Sequence, residues 1–94
     1  YHTRVIARVR VKGKEQPVTV LQVFDGMPDY AVEMLDKTRG DFERGFLYFH
    51  ERRFSEAVNL FARVTTLNPA DGVAGMYLEK ARYFERISSN LTLR

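Results

Sequence analysis

The sequence predicts an α+β fold: an N-terminal β-hairpin, then an antiparallel helical hairpin, then a capping helix. Three observations lead there. Residues 4–12 and 18–24 are rich in β-branched side chains and flank the turn signal Gly13-Lys14-Glu15-Gln16. From residue 41 onward, apolar residues recur at three-to-four spacing. Asn68-Pro69 interrupts that helical pattern.

In residues 4–12, "RVIARVRVK", Val5, Ala7, Val9 and Val11 fall on one face of a strand. Arg4, Arg8, Arg10 and Lys12 fall on the other, and Ile6 breaks the alternation. Pro17 suits the start of the second strand, "VTVLQVF", and Asp25-Gly26 ends it. Met27-Pro28-Asp29 then opens a helix with Asp29 as the expected cap. Gly40 either interrupts that helix or only thins its apolar pattern. Phe42, Gly45, Phe46 and Phe49 continue the pattern to a turn at Arg52-Arg53-Phe54. Ser55 is the expected N-cap of the next helix, whose stripe is Ala57, Val58, Leu60, Phe61 and Val64. Asp71 is expected to cap a third helix carrying Val73, Ala74, Tyr77, Leu78, Ala81 and Phe84. The tail "SSNLTLR" has no clear period and is expected to be loose. The composition therefore divides into a hairpin unit, 1–26, and a helical unit, 27–94.

Ninety-four residues with 45% hydrophobic content suit one small core. So small a core gains from a neighbour. The absence of Cys excludes disulfides, Cys-based zinc sites and thiol nucleophiles. No apolar run reaches the roughly 18 residues of a membrane span. Residues 1–26 hold five bases against two acids, and residues 27–94 hold ten of each, so the whole net charge of +3 lies on the hairpin. No aromatic residues interleave with these bases as they do in a stacking platform for nucleic acid. The basic residues are better explained as the solvated face of an edge strand, and nucleic acid is disfavoured as a partner.

The sequence shows no motif of enzymatic chemistry. His2 and His50 have no carboxylate cluster at metal-ligand spacing, and Gly13 stands alone rather than in a phosphate-binding loop. Asp36, Asp41 and Glu43 are best explained as helix surface. Asn90-Leu91-Thr92 fits a glycosylation sequon, which means little without secretion signals.

A repeat motif is visible instead. Gly45-x2-Tyr48, Ala57-x3-Phe61 and Pro69 follow the order of the tetratricopeptide pattern, with twelve residues from Gly45 to Ala57 and eight from Phe61 to Pro69. Small residues at 45 and 57 permit close helix approach, Tyr48 and Phe61 fill the space between, and Pro69 ends the second helix. Asp41 and Arg44 stand where the pattern has Trp and Leu. The resemblance spans residues 38–71, a single repeat. Residues 72–86 are similar to the first helix of a second repeat and are expected to cap the stack.

The hairpin has a resemblance of its own. Val9-Arg10-Val11-Lys12-Gly13-Lys14, Glu15-Gln16, Pro17-Val18-Thr19-Val20 and Val23-Phe24 resemble the last hairpin of the class III adenylate/guanylate cyclase catalytic domain. Phe54-Ser55-Glu56-Ala57, running to Phe61, looks like the helical extension that follows this domain in some bacterial cyclases. The resemblance implies a non-catalytic C-terminal regulatory or oligomerisation fragment of a nucleotide cyclase. The parent chain would make cyclic nucleotide from ATP or GTP with two Mg or Mn ions. The family's metal ligands and transition-state residues lie upstream of this hairpin, so no catalytic, cofactor-binding or metal residue is expected in residues 1–94. A start without Met, inside a strand, is what a piece of a longer chain would show. Expected partners are a second copy, as a dimer, and a protein or peptide regulator. The expected location is cytoplasmic, with any membrane anchor upstream. The alternative expectation is a stand-alone helical interaction adaptor.

Overall fold

The computed structural model describes residues 3–9, 13, 18–24 and 26–92. Strand β1 (Thr3–Val9) pairs antiparallel with β2 (Val18–Val23). Helices α1 (Asp29–His50), α2 (Phe54–Leu67) and α3 (Gly72–Thr92) follow. This is the predicted α+β order of a hairpin followed by helices. Gly13, the described residue of the expected turn Gly13-Lys14-Glu15-Gln16, has φ 87°, the left-handed region open to glycine. Arg10, Val11, Lys12 and residues 14–17 lie outside the described residues.

The hairpin is not regular. Val5 pairs with Leu21 and Ala7 with Val20, so Ile6 is an extra residue on β1, a β-bulge. The bulge reverses which residues face the helices. Before it, Arg4 lies beside Gln22 on the helix side. After it, Ala7 takes that side with Val20, while Arg8 is exposed. Strict alternation, which places Arg4 with Arg8 on the solvated face, therefore fails at Arg4, which is 1% exposed. Val5 and Ile6 both pack against the helical core.

After β2, the backbone turns at Phe24–Met27. The Met27 N–H donates to the Phe24 carbonyl at 3.3 Å, and Gly26 sits at φ 90°. Pro28, not Asp29, is the N-cap of α1. Its carbonyl accepts from the Ala31 and Val32 N–H groups, and Asp29 lies one position inside, favourably placed for the helix dipole. α1 runs without a break through Gly40. It stops at Arg52, whose φ is 63°. Arg52 N–H donates to the Phe49 carbonyl and Arg53 N–H to the Tyr48 carbonyl, the bond pair of a Schellman motif.

α2 begins two residues earlier than a Ser55 cap requires: Arg53 is the N-cap, and its carbonyl accepts from Ala57. Asp71 does cap α3, accepting the Ala74 N–H on Oδ1 at 3.1 Å. α3 continues to Thr92, so residues 88–92 of the segment expected to be loose are helical. Its sequence contains no Pro or Gly beyond Gly75, and nothing local stops a helix there.

The core lies between the three helices. Phe42, Ala57, Phe61, Val64, Ala74 and Ala81 are fully buried, with Phe46, Tyr77 and Leu78 nearly so. Phe61 stacks on Tyr77 at 5.4 Å and meets Phe42 edge-on at 5.5 Å. Phe49 and Phe54 sit at the rim, where Phe54 stacks on Phe84.

Of the residues proposed to pack the repeat, Gly45, Ala57 and Phe61 are buried in the helical core, and Gly45 faces the Phe61 ring. Tyr48 is half-buried under the Arg53 guanidinium, and Pro69 is exposed in the α2–α3 connection. A Cβ at position 45 would stand 3.1 Å from the Phe61 ring, which is held on its other sides by Phe42 and Tyr77. Gly45→Ala is therefore expected to lower stability by about 1–3 kcal/mol, despite alanine's better helix propensity. A drop in urea midpoint measures it; an increase would show that the ring moves freely.

Candidate functional site

The hairpin is fastened to the helices by charge. Arg4 donates from Nη1 and Nη2 to the two Asp71 carboxylate oxygens at 2.6 and 2.7 Å, a bidentate pair. Its Nε donates to Gln22 Oε1 at 2.7 Å, and the guanidinium carbon lies 4.0 Å from the Phe42 ring centroid. Both charged side chains are almost wholly removed from water. Asp71 thus holds Arg4 and the α3 N-terminus together.

Three more contacts meet the outer edge of β1. The Val5 N–H donates to a Glu43 carboxylate oxygen at 3.4 Å. Arg39 Nη1 donates to the Thr3 carbonyl at 3.4 Å. The Tyr77 hydroxyl donates to the Ile6 carbonyl. Burial raises the Tyr77 pKa, which keeps the phenol a neutral donor.

Above the Arg4–Asp71 pair lies an apolar groove of about 560 Å³. Met27, Tyr30 and Met34 form one wall, Ala70 and Val73 the other, and Gln22 closes the end at β2. Its two charges neutralise one another, so it has no free ion to recognise a ligand's charge. A second apolar area is the outer side of α3, where Tyr83, Phe84 and Ile87 are exposed.

The third is β2 itself. Leu21 is 52% exposed and Val23 56%, and Val18 and Val20 are also exposed, so neither side of the strand is well covered. A two-stranded sheet with one strand this bare is an unfinished element.

Among the described residues of β1, the basic side chains do not assemble into a site. Arg4 is consumed by Asp71, and Arg8 is exposed near His50. Among the described residues no three His, Asp or Glu side chains come together to hold a metal. Among those residues, too, no helix is long and apolar enough to cross a membrane. The Arg4–Asp71 pair was missed by sequence reasoning, although Ile6, out of phase with its neighbours, is the signal of the bulge that creates it. Comparison with protein families, curated proteins and solved structures finds no match to the chain.

Arg4→Met removes one partner of a buried pair and leaves the Asp71 carboxylate unpaired. It is expected to cost about 3–5 kcal/mol, whereas Arg8→Met on the exposed side stays within about 0.5 kcal/mol. Denaturant unfolding separates the two; equal effects would refute the ion-pair clamp.

His50 closes α1 against Phe46. Burial, and secondarily the Arg8 charge, push its pKa below 6.5. The fold thus favours the neutral ring. This contribution is full above pH 6.5 and is lost as pH falls through the lower folded value, because the unfolded chain takes up the proton first. The expected NMR titration midpoint of His50 lies below 6.5, and a midpoint at or above that value would contradict the packing.

Proposed function

We propose that this chain is a non-catalytic C-terminal regulatory and oligomerisation segment of a nucleotide cyclase whose parent makes cyclic nucleotide from ATP or GTP. The observation that carries the reading is the uncovered β2 strand. The hairpin that resembles the cyclase closing hairpin is a two-stranded piece with Leu21 and Val23 bare, as expected of an element that continues into a larger assembly. The helical unit clamps that hairpin through Arg4 and Asp71. A regulator acting on the helices would therefore act on the hairpin as well. In this reading the metal ions, Mg or Mn, and the nucleotide belong to upstream residues of the parent, and the segment works in the cytoplasm as part of a dimer.

A stand-alone helical interaction adaptor is the second reading. It draws on the exposed Tyr83, Phe84 and Ile87 of α3, a face able to accept another helix.

A longer chain carrying the residues that precede Tyr1 decides between them. With ATP or GTP and Mg or Mn it is expected to form the cyclic nucleotide and pyrophosphate, while residues 1–94 alone form none. A folded longer chain that converts neither nucleotide would overturn the cyclase reading.

A further inference from the structure

The two edges of the hairpin are treated differently. The outer edge of β1 is met by Glu43, Arg39 and Tyr77. β1 also carries Arg4, Arg8 and a bulge, features that discourage strand addition. β2, "VTVLQV", carries no charge, no proline and no bulge, and its apolar side chains are exposed. It is an edge without protection.

The backbone on that edge can be read from the ladder. Val5 donates its N–H to Glu43 and Thr3 offers its carbonyl to Arg39, so both turn their backbone groups away from β2. In an antiparallel ladder the opposed residues of such a pair both point outward. Their partners Leu21 and Val23 therefore direct their N–H and C=O groups onto the open edge, and by alternation so does Thr19.

We propose that β2 pairs antiparallel with β2 of a second copy of this chain, joining two hairpins into a four-stranded sheet across a two-fold axis. The proposal rests on the oligomerisation part of the reading above and not on its cyclase part. A two-fold axis normal to the sheet keeps both helical units on one side and requires opposed residues to share a face. The register that uses Thr19, Leu21 and Val23 together places Leu21 opposite Leu21 and Thr19 opposite Val23. The two Leu21 side chains then cover one another on the face away from the helices.

Analytical ultracentrifugation over a concentration series is the test. The natural chain is expected to move toward twice the monomer mass as concentration rises. Leu21→Pro deletes an N–H that the β1–β2 ladder does not use, at a position where an edge strand accepts proline. It is expected to stay monomeric with an unchanged helical circular-dichroism signal. Because the chain has no Cys, Leu21→Cys supplies an independent readout. Opposed residues about 5.5 Å apart in Cα fall within disulfide reach, so oxidation links this variant into dimers, while Tyr83→Cys on α3 stays unlinked. A monomer at every concentration, a dimer that survives Leu21→Pro with its fold intact, or linkage through Tyr83→Cys alone would each overturn the proposal. If Leu21→Pro loses its helical signal, the Leu21→Cys linkage decides. None of these results depends on nucleotide turnover, so the cyclase reading stands or falls separately.

Discussion

A guanidinium and a carboxylate taken out of water together cost several kcal/mol per ion unless geometry and hydrogen bonds compensate. Arg4 and Asp71 meet that demand with two parallel N–H···O bonds, a third bond to Gln22, an aromatic face under the guanidinium and the α3 N-terminus on the carboxylate. The pair spans sixty-seven positions of sequence. It joins the first strand to the connection between the last two helices, and the remaining contacts of the hairpin are arranged around it. With Arg4 in place, Val5 and Ile6 reach the core, the Ile6 carbonyl receives the Tyr77 hydroxyl, and Phe24 is fully buried.

The helices have a different foundation. Their contact surface is a set of aromatic rings in edge and stacked contact, with Gly45 removing the one side chain that would hold α1 off Phe61. This surface is apolar, and Val5 and Ile6 of the hairpin pack against it. The two foundations meet at Phe42 and Tyr77, which pack in the helical core and also touch the hairpin through Arg4 and the Ile6 carbonyl. These two residues therefore link the helical core to β1 by direct contact.

The surface divides along similar lines. The charged side of the helical unit carries exposed pairs such as Arg53 with Glu56, which salt screens and which contribute little. The apolar surface is concentrated on β2, in the groove beside it and on the late turns of α3. On β2, bare apolar surface is accompanied by outward backbone donors and acceptors. A strand edge is thus more specific in what it can bind than either apolar area on the helices.

Much of the architecture was legible in the sequence because it depends on local chemistry. Apolar spacing marked the helices, Gly13 the hairpin turn, Asp71 a cap, and Gly45 with Phe61 a close approach of α1 and α2. The departures have separate causes. Alternation put Arg4 in solvent because a strand was assumed to keep its period, and one extra residue at Ile6 inverted it. Asp29 and Ser55 looked like caps, but the Schellman turn at Arg52 and the turn at Gly26 set where the helices start. By itself, then, the sequence determined the order of strands and helices and which residues could form a core. Tertiary structure decided which side of β1 is buried, that Arg4 finds Asp71, and that β1's edge is covered while β2's stays open. Those outcomes depend on partners distant in the chain, and a distant partner leaves no trace in a local period.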